Sequence, residues 1–176
     1  IIVDPENTHY ISVGGSLYDK SLQTLVRCRA DATDFTIPNT VTTIDYAAFE
    51  GCSNLTSVTI PDSVTSIRDY AFGECSSLIS VTIPEGVQKI KQDTFANCSA
   101  LREVVIPASV TTIEENAFAG CSSLESVLFN GSAPVEYGIG DYEDAGSDPN
   151  VPRMATYAKA YVSPQYLSTF GAEGDS

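Results

Sequence analysis

The sequence predicts a β-rich repeat solenoid, a chain wound into stacked coils with a parallel sheet along one side. Three observations carry that expectation. Ile37-Pro38, Ile60-Pro61, Ile83-Pro84 and Ile106-Pro107 stand 23 residues apart, a period typical of solenoid repeats. The period sorts apolar residues into columns of one type: Val41, Val64, Val87, Val110; Ile44, Ile67, Ile90, Ile113; Phe49, Phe72, Phe95, Phe118; and likewise Cys52, Cys75, Cys98, Cys121. Each unit also ends as Leu55-Thr56-Ser57-Val58-Thr59-Ile60-Pro61 does, apolar alternating with hydroxyl as in a half-buried strand. Proline cannot donate to a ladder and so ends that strand.

Like residues at a fixed period mean like environments lying over one another. The terminal strands of successive units should lie parallel, about 4.8 Å apart. The return segment, Ile44 to Cys52 in the first unit, spaces its apolar residues irregularly and carries Gly51. That suits a turn, a short strand or a 3₁₀ piece better than a full helix. A single unit turns inward seven side chains, Val41, Ile44, Phe49, Cys52, Leu55, Val58 and Ile60, too few to offset the entropy of ordering the whole unit. Stability must come from stacking on neighbours, and the terminal coils need caps.

The phrase Ile-Pro-x-Ser-Val-Thr-x-Ile-x-x-x-Ala-Phe-x-x-Cys-Ser-x-Leu-x-x-Val, best seen from Ile60 to Val81, resembles the BspA-like leucine-rich repeats of bacterial surface and secreted proteins. Four consecutive copies carry the resemblance, over residues 37 to 128. Thr94 replaces Ala in the Ala-Phe pair, and Glu74 and Asn97 stand where other units have Gly51 and Gly120; none of these threatens the fold. The resemblance implies a right-handed leucine-rich-repeat-type coil with a parallel concave sheet and short strands or 3₁₀ turns on the convex side. It also implies a non-catalytic, extracellular scaffold of the kind used in adhesion. Ligand identity is not written in the repeat phrase.

Residues 1–36 read as an N-terminal cap. Ile1-Ile2-Val3 is a short strand candidate stopped by Asp4-Pro5, and Gly14-Gly15 between Tyr10–Val13 and Ser16–Tyr18 is a two-residue hairpin signal. Leu22 to Arg27 continues as a strand, and Phe35-Thr36-Ile37 is the first full strand of the concave sheet. The hairpin should cover the first edge of the stack. Residues 37–128 are the four repeats. Residues 129–176 are a degenerate fifth unit, an acidic loop from Val135 to Val151, a last strand within Ala155 to Val162, and a short helix from Pro164 to Phe170 that closes the core. The whole is one continuous domain.

The chemistry is sparse. The one histidine, His9, lies in the cap with no nucleophile elbow beside it, so it reads as a surface residue. Four cysteines occupy a core column and behave as small hydrophobes; C-x₂₋₄-C metal spacing is absent. Cys28 falls outside that column and is expected to serve packing. Ser53, Ser76, Ser99 and Ser122 are expected to bond nearby backbone at a tight bend. Asp141, Glu143, Asp144 and Asp148 could collect calcium, but they lack EF-hand order. No enzyme, cofactor or metal is expected.

The net charge of −14 is spread along the chain and disfavours nucleic acid and anionic membrane. No segment approaches the ~18 apolar residues that span a bilayer. The chain opens at Ile1 with neither Met nor a basic-plus-apolar leader, as a processed or excised piece would. The candidate partner surface is the outward face of the concave sheet: Ser57, Thr59, Ile79, Ser80, Thr82, Arg102, Glu103, Val105, Glu125, Ser126 and Leu128. Hydroxyls fill its first half; charged and apolar side chains enter in the second, which is expected to carry more discrimination. The expectation is a monomeric, secreted or cell-surface module that binds an extracellular protein or glycan, on host matrix or a neighbouring cell. The alternative is a spacer holding another domain off the surface.

Overall fold

The computed structural model describes residues 1–131, together with the backbone of 136–137 and 159–162. The predicted helix at 164–170, the carboxylates Asp141, Glu143, Asp144 and Asp148, and most of the acidic loop lie outside the described residues. Within them the chain is a helix-free solenoid of about five coils with parallel sheets on two of its sides.

A coil begins with a long strand. These are β4 (Asp34–Thr36), β6 (Ser57–Thr59), β8 (Ser80–Thr82), β10 (Glu103–Ile106) and β12 (Ser126–Phe129). Ile-Pro closes the first four of these strands, and the proline carbonyl then closes a turn by accepting from the amide three residues on: Val41 to Pro38 at 2.9 Å, Val64 to Pro61 at 3.0 Å, Val87 to Pro84 at 3.1 Å and Val110 to Pro107 at 3.2 Å. That turn feeds a two-residue strand on the second side: β5 (Thr43–Ile44), β7 (Ser66–Ile67), β9 (Lys89–Ile90) or β11 (Thr112–Ile113). The return segment is a pair of turns whose amides also bond coil to coil, as Phe49 N to Ala71 O at 2.7 Å and Phe72 N to Thr94 O at 2.8 Å. The turn side is tied from coil to coil throughout, and the two strand sides are tied by ladders at every junction but the one between β6–β7 and β8–β9.

The return needs two left-handed residues per coil. Ala47, Tyr70, Asp93 and Asn116 take the first, with φ of 53–57°. Gly51, Glu74, Asn97 and Gly120 take the second, so the same backbone is kept where glycine is replaced. Thr94, in place of alanine, is buried with its hydroxyl bonded to Lys91 O at 2.7 Å.

The columns are physical files. Phe49, Phe72, Phe95 and Phe118 stack with centroids 4.7, 5.3 and 5.4 Å apart and planes within 14°. Phe35 closes the N-terminal end of that file edge-on against Phe49, at 5.3 Å and 83°. The five cysteines are free and buried. Cys75, Cys98 and Cys121 donate to Phe49 O, Phe72 O and Phe95 O at 3.2, 3.1 and 3.1 Å, which settles thiols inside a core. Cys28, expected outside the file, sits in it: its thiol contacts that of Cys52. The spacing there is 24 residues instead of 23, so the irregular cap coil hid the match.

Other expectations are corrected. Ile1–Val3 is not a strand, for it forms no ladder; Ile2 is fully exposed. Ser99 and Ser122 hydroxyls reach to the preceding coil, to Ser76 O at 3.4 Å and Ser99 O at 3.5 Å, and the bend itself is closed by backbone, as Ser76 N to Glu74 O at 2.8 Å. Glu136–Tyr137, placed in the acidic loop, is a strand (β13) paired with β11. A last strand does form, at Lys159–Val162 (β14), parallel to β12. Ser126 pairs with Lys159, 33 residues on, so the fifth coil carries ten residues more than the repeat.

The cap hairpin is present: β1 (Tyr10–Val13) and β2 (Ser16–Asp19) flank Gly14-Gly15, both with positive φ. β2 then pairs antiparallel with β3 (Thr24–Arg27), and β3 pairs parallel with β5. The hairpin therefore covers the edge of the short-strand side. Among the described residues the first long strand, β4, is bonded only to β6.

Candidate interaction face

The long strands lay the candidate residues on one face in strict register. Ser80, Glu103 and Ser126 are direct partners, as are Thr82, Val105 and Leu128. Ser57 and Thr59 belong to the same two columns but pair toward the other end, with Asp34 and Thr36. Ile79, Arg102 and Glu125 form a third column just ahead of the strands, tied by Ile79 N to Thr56 O at 3.2 Å, Arg102 N to Ile79 O at 2.8 Å and Glu125 N to Arg102 O at 2.9 Å. Strand alternation explains the arrangement: Val81, Val104 and Val127 go inward and are buried, so their neighbours point out.

All eleven sequence-predicted residues thus share one surface. Eight are exposed, while Val105, Ser126 and Leu128 are half-buried. Arg102 reaches across one coil to Glu125, Nη1 to Oε1 at 2.8 Å. Both side chains are more than half exposed, so the pair contributes little stability and holds two charged groups in a fixed place on the face. Ile79, 49 % exposed, lies between Thr56 and Arg102 in the same column.

Sequence reasoning missed Asp34 and Thr36, the first members of the two outward columns. Asp34 Oδ1 accepts from Ser57 Oγ at 2.5 Å and from Thr56 Oγ1 at 3.4 Å. Counting back 23 residues from Ser57 and Thr59 would have found both. The face is also not one sheet: β4–β6 and β8–β10–β12–β14 are separate, with the ladder interrupted between β6 and β8.

Outside the face, His9 is exposed and its Nδ1 lies 3.0 Å from Thr8 Oγ1. Among the described residues no helix is long and apolar enough to cross a membrane.

The profile of the BspA-type leucine-rich repeat region matches residues 26–136, in six copies. A search of curated proteins finds no match. Among solved structures, a leucine-rich cell surface protein from Faecalibacterium prausnitzii A2-165 is 35 % identical, with a TM-score of 0.55; the alignment covers 70 % of this chain and 40 % of that one. A leucine-rich repeat protein from Bacteroides capillosus ATCC 29799 is 34 % identical with a TM-score of 0.62, over 70 % of this chain and 99 % of its own. The pneumococcal vaccine antigen PcpA, 17 % identical, shares the fold, with a TM-score of 0.73 over 94 % of this chain and 45 % of its own. The chain spans about two fifths of the Faecalibacterium protein and of a further leucine-rich repeat protein from Eubacterium ventriosum ATCC 27560. With the profile covering well over half of its length and the repeats stacked as described, this chain belongs to the BspA-type leucine-rich repeat family.

Proposed function

We propose that the chain is a non-catalytic interaction module, secreted or held at a bacterial cell surface, that binds a protein or glycan through its long-strand face. The observation that carries this reading is the column Ile79, Arg102, Glu125. It sets an exposed aliphatic beside an ordered ion pair, where the neighbouring coil has only Thr56. The core needs none of these three side chains, and a mixed apolar and charged surface discriminates between partners better than hydroxyls do. Extracellular matrix proteins and glycans are the partner classes of first choice, and the likeness to a leucine-rich cell surface protein of Faecalibacterium prausnitzii supports the location.

The test is a binding screen of the purified chain against matrix proteins and glycan arrays, repeated with Arg102→Glu, with Glu103→Lys, and with Lys89→Glu on the short-strand side as control. The reading expects partners that the first two variants lose, by about tenfold or more for a charge reversed at an interface, and that the control retains. Capture indifferent to Arg102 and Glu103, or no capture by a well-folded sample, would instead make the chain a spacer.

A further inference from the structure

Among the described residues the first long strand, β4, is unpaired along one whole edge. Thr33 O accepts from Thr56 N at 2.7 Å, and Ile37 N donates to Thr59 O at 3.0 Å, which fixes the alternation of the parallel ladder. Residues 33, 35 and 37 turn their backbone groups to β6; Asp34 and Thr36 turn theirs away. Among the described residues nothing pairs with those two amides and two carbonyls. The hairpin that might have covered them joins the short-strand side instead. Counting back one repeat from Asp34–Thr36 reaches Ile11–Val13, which lie inside β1 and are committed there.

The edge also has a definite chemistry. Inside it, Phe35 is only half-buried, the end ring of a file whose other members are almost completely buried. Outside it, the Asp34 carboxylate is held in place by the Ser57 and Thr56 hydroxyls. An edge carboxylate on a chain of net charge −14 repels a second copy and any acidic strand. It attracts a cation.

We propose that the β4 edge is a strand-addition site. Its occupant is an extended segment of a protein partner that lies parallel to β4, places a lysine or arginine beside Asp34 on the outer face, and sets an aromatic or large aliphatic side chain over Phe35 on the inner face. Main-chain bonds to Asp34 and Thr36 supply affinity, and the alternation of cationic and apolar side chains supplies selection. This goes beyond binding on the long-strand face, since it uses the end of the sheet and not its surface.

The experiment titrates the isotopically labelled full chain with a synthetic peptide about seven residues long, a typical strand length, in which lysine alternates with valine and phenylalanine. A peptide of the same composition with its lysines in one block, and one with glutamate for lysine, are run beside it. The alternating peptide is expected to bind and to shift and protect the amides of Asp34 and Thr36; the other two are not. Thr36→Pro removes an edge donor that bonds nothing in β6, and is expected to weaken binding about five- to tenfold, the effect of one backbone hydrogen bond. Asp34→Lys is expected to transfer binding to the glutamate peptide, which decides the matter even if the proline variant fails to fold. Equal binding of the blocked peptide, or shifts confined to sites other than residues 34–36, would show general attraction to an acidic protein and overturn the proposal. Because Arg102 and Glu103 are not involved, this result and that of the face variants are independent.

Discussion

Glu74 occupies a left-handed turn position, φ 60°, that Gly51 and Gly120 hold in other coils. A side chain with a Cβ is disfavoured there, whereas glycine is not. Glu74→Gly removes that strain and gives back part of the gain through a freer unfolded chain, so a net stabilisation of about 0.5–1 kcal/mol is expected in urea titrations. A loss of stability would mean that the Glu74 side chain makes a contact worth more than the strain. The cysteine file makes a second demand on single residues. Contact with the Cys52 thiol and then burial push the Cys28 thiol up, Cys75 and burial do the same for Cys98, and burial pushes Cys121 up to about 12. A raised thiol favours the protonated form in the folded state. Its stabilisation is complete below the unfolded value, about 8.5, and is lost as pH rises from there toward the folded value. The thermal midpoint should therefore fall between about pH 8.5 and 9.5, before most tyrosines titrate, with a slope approaching ~1.4 kcal/mol per pH unit for each of the raised thiols Cys28, Cys98 and Cys121. Cys52, which its hydrogen bond with Cys28 holds below the usual thiol range, partly offsets that slope. Cys121→Ala should flatten that slope, even though it lowers stability at pH 7. A midpoint level across this window would show that these thiols ionise without opening the core.

At the scale of the elements, one junction differs from the rest. Between the coil of β6 and β7 and the coil of β8 and β9, both sheets are interrupted. Thr65 N and Thr111 N reach Thr42 O and Gln88 O at 2.9 Å in their own junctions, and Arg68 N and Glu114 N reach Ile44 O and Ile90 O at 3.0 and 2.8 Å. Among the described residues the corresponding amides of Gln88 and Lys91 have no such partner. Ser63 and Ser109 hydroxyls bridge to Val41 O and Val87 O at 2.8 Å, but the equivalent residue at this junction is Gly86. Along the neighbouring column Asp45 pairs with Arg68 at 2.9 Å and Lys91 with Glu114 at 3.2 Å, which leaves two like charges, Arg68 and Lys91, facing each other across the gap. Val58 and Ile60, expected to be buried, are half-exposed beside it, while Val104 and Ile106 are fully buried. What continues through the junction is the phenylalanine stack, the turn ladder, with Phe72 N to Thr94 O at 2.8 Å, and the single bond ahead of the long strands, Ile79 N to Thr56 O at 3.2 Å. Local openings start where bonds are fewest. Native-state amide exchange should be faster at Gln88 and Lys91 than at Thr65, Arg68, Thr111 and Glu114; uniform protection of all six would mean that the interruption has no energetic weight.

For the molecule as a whole, the stack was legible because the evidence for it is internal: four phenylalanines at one period can only share an environment if coils lie over one another. The Gly14-Gly15 hairpin was legible from its turn chemistry. Which side it would cover was not, because both sides of a coil offer strands of similar composition and only the β3–β5 pairing decides between them. The candidate face was readable as alternation, and its first members, Asp34 and Thr36, follow from the same period carried one unit back. Its interruption was not legible, because it coincides with a single change, Gly86 where Ser63 and Ser109 stand in other units. Charge is also a property of the whole. Twenty-three acidic side chains face nine Lys and Arg, and Arg27, Arg29, Arg68, Lys91 and Arg102 already sit within 4 Å of a carboxylate. Those pairs are largely exposed and each contributes at most about 1 kcal/mol. The surplus of carboxylates repels along the full length of the stack, over distances near the Debye length of about 10 Å at 0.1 M salt. Raising sodium chloride from about 10 to 200 mM weakens both effects, but the repulsion involves more charges than the pairs do. The thermal midpoint should accordingly rise with salt. A fall would mean that the ion pairs between coils outweigh the excess charge, and in that case Arg68→Ala and Lys91→Ala should each remove part of the salt dependence.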